Sequence, residues 1–299
     1  MSASSLMNPD YTDWIGRSET REGGVTPNLA GMLNAAVSHD LSPVHAIAPG
    51  MVLPSLWHWV AFNEFVPMSD LGEDGHPALG GFLPPLPFRR RMWAGGDVRF
   101  KGVFHVGEKL TKVSTIRAVT MKEGTTGKMA FVTVDHVTTG DQGGVVEEEQ
   151  NIVYLDMPRS FRPPKQTPVP ERLAYDERVP MNEVRLFRYS AATYNAHRIH
   201  YDLPYAREVE KYPALVVHGP MQATMAIEAA ERHTGKSPSR FTYRVVHPMF
   251  HDSDIRLVGA LDPAGGAIEI GTATFEDYLG LKARMEWKTG SRPSGEWMK

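Results

Sequence analysis

The chain has no cysteine among its 299 residues. That excludes a disulfide framework, a cysteine nucleophile, and zinc or iron–sulfur sites built on thiolates. It also has little net charge, since 32 Lys and Arg against 35 Asp and Glu leave −3. No overall field of one sign draws in nucleic acid or an anionic membrane, although local basic patches stay open. Long apolar runs are missing too, and no segment approaches the roughly 18 residues of a membrane helix. The first stretch, "MSASSLMNPDYTDWIGRSETREGG", lacks the basic start and apolar core of a secretory signal, and it is unlike an Arg-rich, acid-poor transit peptide. What the chain does have is 41% hydrophobic residues, enough for one large domain or two of ordinary size. The expectation is a cytoplasmic protein with no nucleic-acid or membrane partner.

The punctuation of the chain divides it. A short helix is expected over residues 27–38, with Thr26 as cap, Pro27 in the first turn and Leu29, Met32, Leu33 and Ala36 on one face. A second, buried helix is expected over "LPSLWHWVAFNEF", Leu53 to Phe65. Residues 72–96, "GEDGHPALGGFLPPLPFRRRMWAGG", hold six glycines and four prolines, which argues for a long functional loop. Four runs rich in Val, Thr, Phe and Ile then predict an antiparallel meander over residues 97–156. "MPRSFRPPKQTPVPE", with five prolines, reads as a stiff linker over 157–171. Beyond it, "NEVRLFRYSA" reads as a strand and "HGPMQATMAIEAAERHTG" as the strongest helix of the chain, ended by Gly235. Further strand-like runs follow. A helix followed by a meander thus occurs twice. The predicted class is α+β, a double hot-dog fold with two long central helices, each wrapped by a curved antiparallel sheet. The expected division is 1–156, a linker at 157–171, and 172–299.

"YSAATYNAHRIHYDLPYA", residues 189–206, concentrates the chemistry. His197 and His200 stand three apart beside Asn195, Arg198 and Asp202. One reading is a metal pair on a helix face, which needs further ligands that only Asp202 could begin to supply. A second is two histidines packed at a loop. A third is proton transfer near neutral pH, with Asn195 and His200 holding and deprotonating a water.

"AATYNAHRIH" resembles the active-site motif of the MaoC-like (R)-specific enoyl-CoA hydratases, small-x-Ser-Gly-Asp-x-Asn-Pro-aliphatic-His. On that register His200 falls on the catalytic histidine, Asn195 on the catalytic aspartate, Ile199 on the aliphatic position and Thr193 on the serine. Tyr194, His197 and Arg198 depart from Gly, Asn and Pro. "VVHGPM" resembles the family's "HG" at the start of the hot-dog helix, which puts Gly219 on the glycine whose backbone N–H polarises the thioester carbonyl. The 72–96 loop, "NAHRIHYD" and "VVHGPMQ" together are similar to mesaconyl-C4-CoA and itaconyl-CoA hydratases.

The resemblance implies hydration of a C5 dicarboxylic CoA thioester to citramalyl-CoA, by one-base chemistry on His200 because Asn195 cannot take a proton. It implies no cofactor or metal beyond the coenzyme A of the substrate. The rival expectations are an (R)-3-hydroxyacyl-thioester dehydratase for monocarboxylic chains, a hot-dog thioesterase, and a non-catalytic thioester-binding module. Substrate-binding candidates are Arg198, for a remote carboxylate, with His197, His218, Arg89, Arg90 and Arg91. Asp202 and Glu228 are candidate second acids. His76 is expected to be structural, although a loop histidine near a site could help bind substrate, and Trp57, Trp59 and Trp93 are expected to lie in the core or between domains. Arg159, Arg162, Lys165, Arg240 and Arg244 are candidate partners for the CoA phosphates. A homo-oligomer stays open.

Overall fold

A computed structural model describes residues 11–38, 47–124 and 127–288. Part of the N-terminal stretch, Thr125 and Thr126 of an expected turn, and the end of the last expected strand lie outside them. Among the described residues, ten strands form one antiparallel sheet. In chain order they are β1 (Ser18–Gly23), β2 (Arg90–Lys101), β3 (Leu110–Gly124), β4 (Gly127–Gly140), β5 (Val145–Leu155), β6 (Tyr175–Val179), β7 (Arg240–Val245), β8 (Ile255–Leu261), β9 (Ala267–Ala273) and β10 (Leu279–Glu286). Their spatial order is β1-β3-β4-β5-β2-β7-β10-β9-β8-β6. The five strands of each half stay together, and β2 pairs with β7 where the halves meet, Val98 opposite Phe241. Residues 157–174 run between the halves and are tied down by Val169 N–H to the Asp277 carbonyl at 3.0 Å and Leu279 N–H to the Thr167 carbonyl at 2.8 Å.

Among the described residues, four α-helices accompany the sheet: α1 (Pro27–Val37), α2 (Glu183–Thr193), α3 (Leu203–Glu208) and α4 (Gly219–Thr234). Helix α1 starts as its sequence predicts, with Thr26 accepting from Leu29 N–H. Helix α4 has Pro220 in its first turn and ends at Gly235 in a left-handed conformation. Met221, Met225, Ile227, Ala229 and Ala230 are fully buried. So are small residues on its other faces, Ala223 and Ala226, as expected of a helix enclosed all round. Its core is continuous with that of the first half through Leu33, Trp57 and Val98.

Three elements depart from expectation. Leu53 to Phe65 is not a buried α-helix: only Trp57–Phe62 turns, as a 3₁₀ segment preceded by Leu56 at φ 69°. Its tryptophans reach carboxylates instead, Trp57 Nε1–H to Glu228 at 2.6 Å and Trp59 Nε1–H to Glu148 at 2.8 Å. The first half therefore has no long central helix among the described residues. "NEVRLFRYSA" is helix α2, not a strand. Asn182 caps it, accepting from Arg185 N–H at 2.9 Å, and Leu186, Tyr189 and Ser190 turn inward at helical spacing. Arg185 also donates to the Ala36 and Ser38 carbonyls at the end of α1, so helix–helix packing overrides a β-like composition. Finally, "RRMWAGG" belongs to β2, and a bulge between Trp93 and Gly95 accommodates the glycines. The rest of the Gly/Pro stretch is a loop, and Leu86 and Phe88 pack it on Ile116, Val132 and Tyr154 of the first half.

Candidate active site

Helix α2 ends at Tyr194 in a left-handed turn, φ 50°, and the Asn195 N–H closes it on the Ser190 carbonyl at 2.9 Å. Asn195 then turns the chain. Its Oδ1 accepts from His197 N–H at 2.9 Å, which leaves its NH₂ as the free end. A 3₁₀ turn over Arg198–His200 follows and delivers His200 to the start of α4. His200 is buried. Its Nδ1–H donates to the Val216 carbonyl at 2.7 Å. A carbonyl only accepts, so the proton sits on Nδ1 and Nε2 keeps its lone pair. Burial pushes the His200 pKa well below the usual histidine range. His218 and His197 add to that shift, and the Val216 bond opposes it. His200 is thus a neutral base at neutral pH.

His218, the cap of α4, stacks on His200 with ring centroids 3.6 Å apart and bonds Ser190 Oγ through Nε2 at 2.9 Å. It has no exposed surface and burial holds it down at about 3. Gly219 opens the helix against Trp93, and a Cβ there would stand 2.6 Å from the indole ring. The N–H groups of a helix's first turn lack intrahelical partners and carry the positive end of its dipole. The absent side chain lets a ligand approach them.

The first half covers this centre. Gly75 lies in the Gly/Pro loop at φ 88°, and a Cβ on it would overlap the Ala196 carbonyl oxygen. Only glycine allows both that φ and that approach. The contact is fastened by Arg198 N–H to the Asp74 carbonyl at 2.9 Å. It brings the His76 ring within 4.2 Å of His197. His76 Nδ1–H donates to Asp74 at 2.8 Å. Burial, then Arg91 and His197, push the His76 pKa down to about 3. Asp74, His76 and His197 each bring a ligand-type atom within 4.8 Å of the others. Asp74 is bonded to His76, and His197 to Glu210, so we read the cluster as a scaffold rather than a metal centre.

A cavity of about 440 Å³ results, lined by Asn195, His197, His200 and Gly219 from the second half and by His76, Arg91 and Trp93 from the first. A larger space of about 660 Å³ adjoins it through Asn195, Pro220, Trp93 and His76 and runs under Trp59, Phe62 and Tyr189. Both lie within the range of small-molecule sites.

The expected residues divide here. His200, Asn195, Gly219, His197 and Arg91 line the cavity together. Arg198 does not: its guanidinium grips Asp202 at 2.7 Å, donates to the Glu73 carbonyl at 3.1 Å and lies over the Tyr205 ring. Asp202, being its partner and the cap of α3, is no second acid. Arg89 is exposed beside Glu73. Arg90 is held by Glu210 at 3.1 Å and by Tyr212. His218 is walled off behind His200. Glu228 sits between the halves on Trp57, where burial raises it to about 7. Sequence reasoning missed Glu210, which is 1% exposed and also accepts from His197 Nε2–H at 3.1 Å. A lone Glu in "REVEKYP" carries no local signal for that role. His76, expected to be structural, also proves to line the cavity.

Comparison with known proteins places the chain in a family. A family model, hydroxyacyl-thioester dehydratase type 2, matches residues 56–251. The chain is 38% identical to the mesaconyl-C(4)-CoA hydratase of Chloroflexus aurantiacus, over 94% of this chain and 99% of that protein. It is 27% identical to the mitochondrial hydroxyacyl-thioester dehydratase type 2 of Schizosaccharomyces pombe, over 75% and 84%. Among solved structures, a MaoC-like dehydratase from Phytophthora capsici superposes with TM-score 0.66 at 12% identity, over 94% of this chain and 99% of that one. A Mycobacterium tuberculosis protein described as a double hotdog fold superposes with TM-score 0.55 at 12% identity, over 91% and 96%. At such identities the structures speak for the fold alone, and the fold is a double hot dog. The sequence matches go further: the chain belongs to the family of type 2 hydroxyacyl-thioester dehydratases.

Proposed function

We propose that this protein is a hydro-lyase that adds water across the α,β double bond of a CoA thioester, with a C5 dicarboxylic ester such as mesaconyl-C4-CoA as substrate and citramalyl-CoA as product. The observation that carries the reading is the state of His200: neutral, with Nδ1–H fixed on Val216 and Nε2 free, in one cavity with the start of a helix. His200 Nε2 takes a proton from water as the water oxygen bonds to Cβ. The π electrons move onto the thioester oxygen, which lies at the Gly219 N–H. The imidazolium then returns its proton to Cα, and the base is restored. A preorganised donor at such an oxyanion is typically worth about 3–4 kcal/mol of barrier.

Asn195 orients the water with its NH₂ and carries no proton itself, so one base serves both steps. This route needs the double bond conjugated with the thioester carbonyl, as it is in the mesaconyl-C4 ester. Water and protein groups suffice for it. Pro164 lines the cavity, and the basic linker residues Arg159, Arg162 and Lys165 around it are exposed, where CoA phosphates can meet them. Arg240 is already paired with Asp97 at 2.7 Å. A CoA ester as substrate and a chain without cysteine fit the cytoplasm.

The test offers mesaconyl-C4-CoA, itaconyl-CoA and crotonyl-CoA and follows both the enoyl-thioester absorbance and free thiol. Loss of absorbance without thiol release, at the highest kcat/KM for mesaconyl-C4-CoA, is the expected result. Thiol release would make the protein a thioesterase. A preference for crotonyl-CoA would make it a monocarboxylic enzyme, and tight binding with no turnover would make it a binding module.

A further inference from the structure

Arg91 is the one Lys or Arg among the described residues that line the His200 cavity. Its neighbours in sequence are spent: Arg89 pairs with Glu73 and Arg90 with Glu210. Arg91 forms no such pair with any described carboxylate: it reaches the Pro77 carbonyl at a long 3.4 Å and lies beside the Tyr154 hydroxyl, and Asp74 acts on it only through space. The carboxylates nearby have other partners. Asp74 accepts from His76 at 2.8 Å, and Glu64, which also lines the cavity, accepts from Arg21 at 2.9 Å. Arg91 alternates along β2 onto the face of Trp93, and Trp93 packs on Gly219. Two of the imidazoles beside it are neutral: burial holds His200 well below the usual range and His76 at about 3. A guanidinium that makes no ion pair with a described carboxylate, in a half-enclosed cavity beside neutral imidazoles, is suited to an anion.

We infer that Arg91 binds the carboxylate carried on Cβ of the substrate and so sets the preference for dicarboxylic over monocarboxylic enoyl-CoA esters. The inference rests on the hydratase reading and adds its specificity determinant. The chemistry fits the position. In a mesaconyl-C4 ester the free carboxylate is bonded to Cβ, the carbon that water attacks, so its partner has to share the cavity of the base. Arg91 does so, whereas Arg198, turned onto Asp202, does not. Arg91 also faces a smaller pocket of about 220 Å³ on its other side, with Asp74 and Tyr154. Arg89 and Arg90 line that pocket beside Glu73 and Asp74, but no histidine does, so a carboxylate held there would lie away from His200.

The experiment measures kcat/KM for mesaconyl-C4-CoA and crotonyl-CoA in the wild type, Arg91→Gln, Arg91→Lys and Arg198→Gln. Losing a charged partner to a desolvated carboxylate lowers affinity steeply, so Arg91→Gln is expected to cut the dicarboxylate-to-monocarboxylate ratio by about 30-fold or more. Arg91→Lys should recover part of the ratio, and Arg198→Gln should leave the ratio alone. Inhibition by methylsuccinyl-C4-CoA and by butyryl-CoA reads binding without turnover, and only the first should weaken in Arg91→Gln. Equal losses on both substrates, or a ratio that falls in Arg198→Gln instead, would overturn the assignment while leaving the hydratase reading intact. A wild type that hydrates crotonyl-CoA but not the dicarboxylic ester would overturn it too. A wild type that hydrates neither ester would remove the hydratase reading itself.

Discussion

In the second half of the molecule, short strands of five to eight residues curve over a 16-residue helix, α4. In the first half, β3 and β4 run to 15 and 14 residues, and what meets them is a six-residue 3₁₀ turn, Trp57–Phe62. The difference has a chemical consequence. A long helix starting at a glycine presents aligned N–H groups at the cavity. A 3₁₀ turn that begins after a left-handed leucine and sends its indoles to Glu228 and Glu148 presents none. The half without the long helix supplies a wall and the loop that folds over its neighbour. On the proposed mechanism, one unit holds the reacting groups and the other shapes the space around them.

The comparison breaks most readily at the histidines. His200 in the second half and His136 in the first are both neutral: burial holds the first well below the usual range and the second down at about 4. Neutrality alone therefore does not make a base. His136 spends its Nδ1 on Ser114 Oγ at 2.8 Å and lines only the larger space. General-base assistance is typically worth about 10²–10⁴ in rate. His200→Ala should lose that much kcat with its circular dichroism spectrum intact, whereas His136→Gln should lose less than about threefold on the same scale. A His136→Gln enzyme as damaged as His200→Ala would mean that the first half carries chemistry. The acid limb of kcat/KM should lie below the ordinary histidine value of about 6.5, because protonated His200 cannot take a proton and its pKa is lowered. A limb at or above that value would contradict the buried, neutral assignment.

The next largest effect tests whether the first half shapes the second. Gly75→Ala puts a Cβ into the Ala196 carbonyl at a φ of 88°. The left-handed conformation alone costs an L residue about 1–2 kcal/mol, and the overlap has to be relieved by moving the loop away from Asn195 and His200. A 1 Å misplacement of reacting groups can cost about 10²-fold in rate, so a loss of tens-fold in kcat is expected with little change in melting temperature. Gly81, in the same loop, has nothing within 4 Å of an added Cβ and no positive φ. Gly81→Ala should be silent. Equal effects of the two substitutions would show that the loop responds as a whole and that Gly75 has no special contact.

The seam between the halves titrates. Burial, opposed by the Trp57 bond, raises Glu228 to about 7, and burial, opposed by Ser55, raises Glu231 to about 8 with Glu228 adding to it. A carboxyl with a raised folded-state pKa contributes stability that is fully present below its ordinary value near 4.5 and is lost as pH rises through 7 and 8. The buried histidines act at the other end. His58, His76 and His218 are lowered to about 3, so the stability they contribute is present above 6.5 and is lost as pH falls toward 3. The two windows overlap between 4.5 and 6.5, and stability should peak where the opposing slopes cancel. Glu228→Gln keeps an acceptor for Trp57 Nε1–H and removes one ionisation, so its melting temperature should fall less than the wild type's between pH 6.5 and 9. An unchanged alkaline slope would mean that Glu228 ionises in the folded protein without cost.

These effects also mark what was legible in the sequence. Helices α1 and α4 were legible because cap, proline and glycine signals sit at their ends and an apolar face lies between. The meanders were legible because Gly-rich turns punctuate runs of β-branched residues. Trp57–Phe62 and α2 were misread for a common reason: their conformations are set by partners distant in sequence, Glu228 and Glu148 for the first and the carbonyls closing α1 for the second. At the site, His200, Asn195 and Gly219 stand in local motifs that can be recognised. Which arginine faces the cavity could not be read, since Arg89, Arg90, Arg91 and Arg198 differ only in where Glu73, Glu210 and Asp202 fall in space.

The smallest effect concerns the segment that joins the halves. Arg162 and Lys165 are exposed on either side of Pro164, and Pro164 lines the cavity. If CoA lies along this segment, its phosphates meet these two charges in water, where an ion pair is worth little, about 0–1 kcal/mol each. The double charge reversal Arg162→Glu, Lys165→Glu should therefore raise KM for mesaconyl-C4-CoA by about 3- to 30-fold on that scale, with kcat unchanged. The wild-type KM should climb with added salt, since the screening length shrinks from about 10 Å at 0.1 M to about 3 Å at 1 M, and the variant's KM should climb less. The pantetheine ester, which has the same acyl group and no nucleotide phosphates, separates charge from shape. Its KM should not respond to either the reversal or the salt. A KM that rises for the pantetheine ester as well would mean that the linker forms the cavity wall through Pro164 and recognises no phosphate. No change with either ester would move the phosphates off this segment, with exposed Arg244 on β7 the next position to reverse.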